Sequence, residues 1–597
     1  MYRGTWLLVG VPLLVAALSV AQPEPLPPPV LPPSFDAEAA HALATDFARR
    51  RPNRTPGSLG AVDWVSERFR VYGFQPKLVR FEADIPGLGR RQLTNVSATA
   101  VGRSRRAIVV LAHRDNLGTS PGAVDNASGT AAMIELARAY AHVPGSAGGQ
   151  VRPAHDVVFL STDGGAFGGI GAAKFAADPA YRGQVAAVLV LDSVAADAAA
   201  RLEFAGDAPR NPSPLLVQTA ADRLVDQTGR QPDRPSALQQ LVDLGFPFSL
   251  GEQAPFVAAG IPAVTLTAAP DEAPGDPGEA EALHVERLGE IGRATQQLLV
   301  SLDGGAELAP AAAGYVYLGP RLVRGWAIQL VLIASVLPFL AAAVDLFARC
   351  RRRRIPLGPA VRSLLRRGGF WLAVGALFWL LGLFGAWPSG IDRPLPPTGE
   401  AVADVPLVAL GLLGAAAAAA WLVARERLLP RRRVSGEEEL AGSTAALIGL
   451  GVLALVTVAV NPYALLFLLP SLHAWIWLPQ LREARLWVRL GVWLIGLAGP
   501  ALLLASYATR LELGLEAPWY LASLVAVGYV EPVMVALFLA WAAAAGQLGA
   551  VAARRYAPYP RAEELPPSGA RRVAASRVRA VLRPRRAPEE EARALGG

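Results

Sequence analysis

Residues 107–129 read Ala107-Ile-Val-Val-Leu-Ala-His113-Arg-Asp115-Asn-Leu-Gly-Thr-Ser-Pro-Gly-Ala-Val-Asp125-Asn126-Ala-Ser-Gly129. The unbroken apolar run 107–112 is the pattern of a strand buried on both faces of a parallel sheet. It ends on a histidine, with an aspartate two residues on. A loop rich in Gly, Asn and Ser then carries a second aspartate into a helix expected over Ser128–Tyr140, where Ala, Met, Ile and Leu share one side. Open α/β sheets place their sites at the carboxyl ends of such strands.

The same rhythm extends outward over 35–304. Asp36–Tyr72 is mostly helical in pattern. Val157–Leu160, Val185–Leu191 and Pro262–Leu266 are further strand candidates, and Val285–Asp303 reads as an amphipathic closing helix. Asp192 ends one of these strands, and His284 precedes the closing helix. A lone His or a strand-end Asp is usually structural. Here His113, Asp125, Asp192 and His284 all fall at strand ends or helix starts, as the ligands of a metal centre would. A dinuclear hydrolytic zinc centre needs His and carboxylate ligands, a bridging carboxylate, and a separate carboxylate as general base on the metal-bound water. Asp115 sits where it can orient His113 from behind.

In motif order, His113 with Asp115, the Asp125-Asn126-Ala-Ser-Gly loop, Leu191-Asp192 and His284 resemble the M28 family of zinc aminopeptidases. Gln253-Ala-Pro-Phe256 and Gly260-Ile-Pro-Ala263 resemble that family's segment ahead of the last histidine. The resemblance spans about 100–290. It implies a zinc-exopeptidase-like mixed sheet flanked by helices, with Asp125 bridging two metals, His113 and Asp192 completing one, and His284 with a glutamate completing the other. The family's Gly-Glu-Glu-x-Gly-x-x-Gly segment is represented by Gly164-Gly165-Ala166-Phe-Gly168-Gly-Ile-Gly171. In that register the general-base position is Gly165 and the missing ligand position is Ala166. One zinc is therefore expected, or two if a neighbouring carboxylate such as Glu252, Glu279 or Glu281 substitutes. Loss of a positioned base typically costs about 10²–10⁴ in rate.

Residues 326–553 are of another kind. Seven apolar segments, at about 326–347, 369–389, 404–424, 440–460, 463–480, 487–507 and 518–552, approach the roughly 20 residues of a spanning helix. They account for much of the positive mean hydropathy, +0.33. The last is long enough to tilt, kink or split at Glu531-Pro532. Arginines crowd the loop after the first segment (Arg349, Arg351 to Arg354, Arg362, Arg366, Arg367), whereas the next carries only Arg393. Rich and poor loops continue to alternate. This pattern predicts a multi-pass protein of the cell membrane with 35–304 extracytoplasmic and the basic tail 554–597 cytoplasmic, against anionic lipid.

Residues 1–21 fit a signal peptide or an uncleaved signal anchor, 22–34 a proline-rich linker, and 305–325 a second linker. Within the membrane segments, His473 and Glu531 stand out as ionisable. The single cysteine, Cys350, excludes an intramolecular disulfide. The net charge of +8 does not point to nucleic acid, because the arginines mark segment ends rather than a basic, aromatic face. With only two lysines, at 77 and 174, the composition suggests a GC-rich bacterial source.

Three functions compete. One is an impaired or repurposed peptidase, another an active zinc aminopeptidase with a substitute carboxylate. The third is a module that binds peptide or protein N-termini for a membrane partner. A transporter finds no support in any internal repeat.

Overall fold

A computed structural model describes residues 7–50, 54–118, 120–141, 152–181, 183–269, 282–304, 308–311, 313–399, 402, 404–428, 435–556 and 558. The strands in chain order are β1 Val20–Ala21, β2 Lys77–Ile85, β3 Gly89–Ala100, β4 Ser104–His113, β5 His155–Thr162, β6 Val185–Asp192, β7 Arg201–Glu203, β8 Ala263–Thr267, β9 Tyr315–Leu318 and β10 Arg321–Arg324. Seven of them form one mixed sheet in the order β2-β3-β5-β4-β6-β8-β7. Its centre, β5-β4-β6-β8, is parallel, and these are the four continuous apolar runs of the sequence. The margins are antiparallel: β2 with β3, β3 with β5, and β7 with β8.

Helices cover both faces of this sheet. Ala37–Arg50, Leu59–Val71, Gly129–Arg138, Pro214–Thr228 and Val285–Gly304 supply the larger core, with Phe47, Trp64, Phe69, Met133, Leu224 and Leu298 buried. Ile170–Ala176 and Ala254–Ala258 close the other side through Phe175 and Phe256. His113 and Asp192 are the last residues of adjacent parallel strands, so the topology alone puts them side by side.

Residues of both expected linkers make contacts with the sheet domain. Leu26 is buried, its N–H donates to Thr219 Oγ1, and its carbonyl accepts from Arg223. Downstream, β9 and β10 pair with each other, and Tyr315 and Tyr317 enter the larger core. Strand β1 adds antiparallel to β10, Val20 opposite Val323 and Ala21 opposite Leu322. The apolar helix Leu7–Leu18 therefore arrives beside the helix Gly325–Arg352.

The C-terminal domain is helical. Among the described residues six helices are long and apolar enough to cross a membrane, and the pair Leu486–Ile495 and Ala498–Arg510, bent by 53°, would make a seventh. The long last segment is divided into Ala517–Ala526 and Pro532–Ala552, separated by Gly528 at φ +87° and by Pro532, which opens the next helix. Glu531 takes the N-cap position of that helix, and His473 Nε2 lies 3.0 Å from the Ser335 carbonyl. The Glu531 side chain makes no capping bond there, so among the described residues only His473 of the two has a side-chain bond of its own.

The sheet domain sits on these helices. Val242 and Phe248 share an apolar cluster with Leu395, Val402, Tyr507, Leu511, Tyr520 and Leu524. Phe248 meets the rings of Tyr507, Tyr520 and Tyr529 edge-on. Polar bonds rim the cluster. Asn461 Nδ2 donates to the carbonyls of Leu244 and Gly245, Arg510 pairs with Asp243, and Ser506 donates to Gln239.

Candidate metal centre

His113 Nε2 lies 3.3 Å from Asp125 Oδ1 and 3.7 Å from Asp192 Oδ1. One donor atom from each of the three residues falls within 4.8 Å of the others. A tetrahedral zinc with bonds of about 2.05 Å places its ligand atoms about 3.3 Å apart. The donor set and its spacing therefore fit a cation with a fourth position open to solvent, since the Asp125 side chain is 48% and Asp192 34% exposed. His113 is buried. Burial alone would lower its imidazole pKa, but hydrogen bonding to Asp125 and Asp192 outweighs it and holds the group well above its ordinary value. Two carboxylates that hold a proton on this ring would favour any cation at the same point.

The surroundings fix each ligand. His113 Nδ1 lies 3.0 Å from the Asp115 carbonyl, which leaves Nε2 for the carboxylates. So Asp115 orients the ring through its backbone. Its carboxylate, 3.8 Å from Nδ1, instead accepts the N–H groups of Gly165 and Ala166 at 2.9 and 3.2 Å. Burial raises that carboxyl to about 6, against the lowering pull of His113. Thr130 Oγ1 donates to the His113 carbonyl. Asn126 joins the other two ligands: its amide donates to the Leu191 carbonyl and accepts from Gly129 and Ser193. Arg54, fully buried, donates to the carbonyls of Arg114, Pro121 and Gly122, tying the His113 loop to the Asp125 loop.

The turn 164–169 holds none of the acids that the resemblance would supply. Gly165 packs so closely on His113 that a Cβ there would coincide with the His113 side chain. Asp163 is engaged with Arg114 and with the Thr94 N–H, away from the triad. Glu252, by contrast, is buried beside the site. Oε1 accepts from Thr162 Oγ1 at 2.6 Å, while Oε2 has no partner among the described residues. Burial raises its carboxyl to about 7, opposed by His113 and Thr162. Glu279 and Glu281 lie outside the described residues. His284 stands apart from the triad, 40% exposed, with Nδ1 3.6 Å from Asp197.

The family model for "Peptidase family M28" matches residues 95–284. This stretch is a peptidase family M28 domain. Solved structures similar to the chain include the aminopeptidase from Aneurinibacillus sp. strain AM-1, at 15% identity over 46% of this chain and 96% of that one, TM-score 0.36. A glutaminyl cyclase from an Acidobacteriales bacterium matches at 17% identity over 47% and 99%, TM-score 0.36. A leucine aminopeptidase precursor from Bacteroides thetaiotaomicron matches at 17% over 46% and 99%, also at 0.36. No curated protein matches.

Arg54 and Asn126 escaped sequence reasoning as site residues. Asn126 stands inside the M28 motif, next to Asp125, and so carried a signal. Arg54 lies some 60 residues before the residues it clips, in one more Arg-Pro-Gly-rich stretch, and carried none.

Proposed function

We propose that the M28 domain is an extracytoplasmic module on a multi-pass membrane anchor. It holds one zinc ion through His113, Asp125 and Asp192 and engages peptide or protein N-termini without aminopeptidase turnover. The observation that carries this reading is Gly165. The place from which the family's base would project is filled by His113, and Ala166 offers no ligand. A bound zinc would act as a Lewis acid toward a carbonyl oxygen. The chain's own residues then orient and bind: Asp115 and Thr130 fix His113, and Asn126 and Arg54 fix the Asp125 loop. The arginine-rich loops support the outward orientation.

The test uses full-length protein in detergent. Metal analysis should give about one zinc per chain, lost in His113→Ala. Aminoacyl reporter peptides should bind with no turnover above the metal-free control. Robust hydrolysis by the wild-type protein would overturn the binding reading.

Glu252 favours a second reading, a hydrolase in which this carboxylate takes the vacant base role. Its buried, unpartnered oxygen and a pKa near neutrality suit a proton acceptor. On that reading Glu252→Gln abolishes turnover and keeps the zinc.

A further inference from the structure

Arg393 lies between the helix Gly358–Leu383 and the helix Leu407–Leu428 of the apolar domain, yet it reaches into the M28 domain. Its Nε donates to the Gly168 carbonyl at 2.6 Å, and its Nη1 pairs with Asp207. Asp207 also accepts from Tyr529, at 2.6 Å, so a second residue of the apolar domain holds the acid that Arg393 pairs with. The Arg393 side chain is only 12% exposed. Next to it, Gly168 at φ +79° lies flat against the Pro394 carbonyl, leaving no room for a Cβ.

We propose that Arg393 is a positioning residue for the metal centre, so that the apolar domain helps to set the site's geometry. This rests on the zinc-binding reading above. The path is short. Arg393 grips the turn at Gly168, and the turn is closed on itself by the Gly169 N–H on the Gly165 carbonyl, at 3.0 Å. Gly165 packs on the His113 side chain, and the N–H groups of Gly165 and Ala166 hold the Asp115 carboxylate. The Asp115 carbonyl in turn orients His113 Nδ1. A shift of the turn therefore reaches the ligand by two routes, one steric and one through Asp115. Outer partners of metal ligands typically matter about 10–100-fold in affinity. A contiguous path is only a route for coupling, and the coupling itself must be measured.

The experiment is a zinc titration against a competing chelator, on full-length protein in detergent, below the melting temperature of every variant. Arg393→Gln should weaken zinc binding about tenfold, and Arg393→Lys should recover part of the loss. Tyr529→Phe, which removes a bond in the same interface without touching the turn, should lower stability and leave zinc affinity within about twofold. If Arg393→Gln lowers stability but binds zinc like wild type, Arg393 only fastens the domains and the proposal fails. If wild type and His113→Ala hold the same zinc, the metal reading itself fails. Hydrogen exchange on the wild-type protein gives a check that needs no variant to fold. Linkage is reciprocal, so zinc should slow exchange both at 164–169 and at 390–396. Protection confined to the first segment overturns the proposal.

Discussion

Gly165 shows how much one missing Cβ can decide. From the motif, restoring glutamates at 165 and 166 should rebuild the lost chemistry. The packing says otherwise, because the side chain would have to displace His113, the ligand it is meant to assist. Gly165→Ala alone should cost about 1–3 kcal/mol by overpacking and should weaken zinc binding. The Gly165→Glu, Ala166→Glu double variant should gain neither a second metal nor turnover. Thermal melts with metal analysis check both, and a double variant holding two zincs would contradict the steric account. Glu252 makes the pH prediction. Its carboxyl ionises near 7 in the folded chain against an ordinary 4.5. Between these values the folded state binds the extra proton, so this contribution to stability is full below about 4.5 and lost as pH rises through about 7. The difference is on the order of 3 kcal/mol. Metal-free protein in chelator should therefore melt higher at pH 5 than at pH 8 on this account, and Glu252→Gln should flatten that component; an unchanged profile would remove Glu252 as its source. His113, Asp125 and Asp192 were legible because a strand end or helix start announces its residue. Glu252 was legible only as one of three candidate substitutes, with Glu279 and Glu281, because its burial beside His113 depends on how residues 246–253 pack against the rest.

Among the elements, the segment that carries Asp125 shows how a ligand with non-helical φ/ψ is held. Arg54 satisfies two carbonyls there, of Pro121 and Gly122, and a third at Arg114, and its guanidinium lies over the Phe47 ring at 4.6 Å. Arg54→Met would keep much of the bulk and orphan those acceptors, each a bond to a charged donor worth about 1.5–3 kcal/mol. We expect a loss of at least about 3 kcal/mol and a matching drop in zinc affinity, read by melting and by titration. The parallel strands and the helices that follow β4 and β8 were readable from apolar runs and helical spacing. The hairpin β2–β3 was not: its burial alternates along Lys77–Ile85, and the first four residues of β3 are exposed, so polar residues dilute the pattern. Likewise the span 518–552 reads as one apolar run. Glu531-Pro532 left a tilt, a kink or a split open, and the backbone at Gly528 and Pro532 decides for the split.

For the molecule as a whole, the composition shift marked two domains but gave no hint that they share a core. The segment around Phe248 shows why. Its apolar residues look like ordinary interior residues of the M28 domain, yet they are buried by Tyr507, Tyr520 and Leu524 some 260 residues later. A fragment 35–304 would leave Val242 and Phe248 uncovered and would lose Tyr315 and Tyr317 from its own core. It should be less soluble than the full chain and bind zinc more weakly, and co-expression with 305–597 should restore both. A monodisperse fragment with native zinc affinity would show that the interface is dispensable.

The pairing of β1 with β10 has a consequence for how such a protein is made. The lobe that contains the M28 domain is bracketed by these two neighbouring strands, and the chain enters through Leu7–Leu18 and leaves through Gly325–Arg352. Both ends are clamped at one place, like the two ends of a purse string. The lobe between them cannot swivel on a single stalk, and the clasp cannot close until residues 321–324 have been synthesised. A ribosome stalled before that point would hold a lobe with one end loose, so the last step in closing the lobe would be a late event in translation.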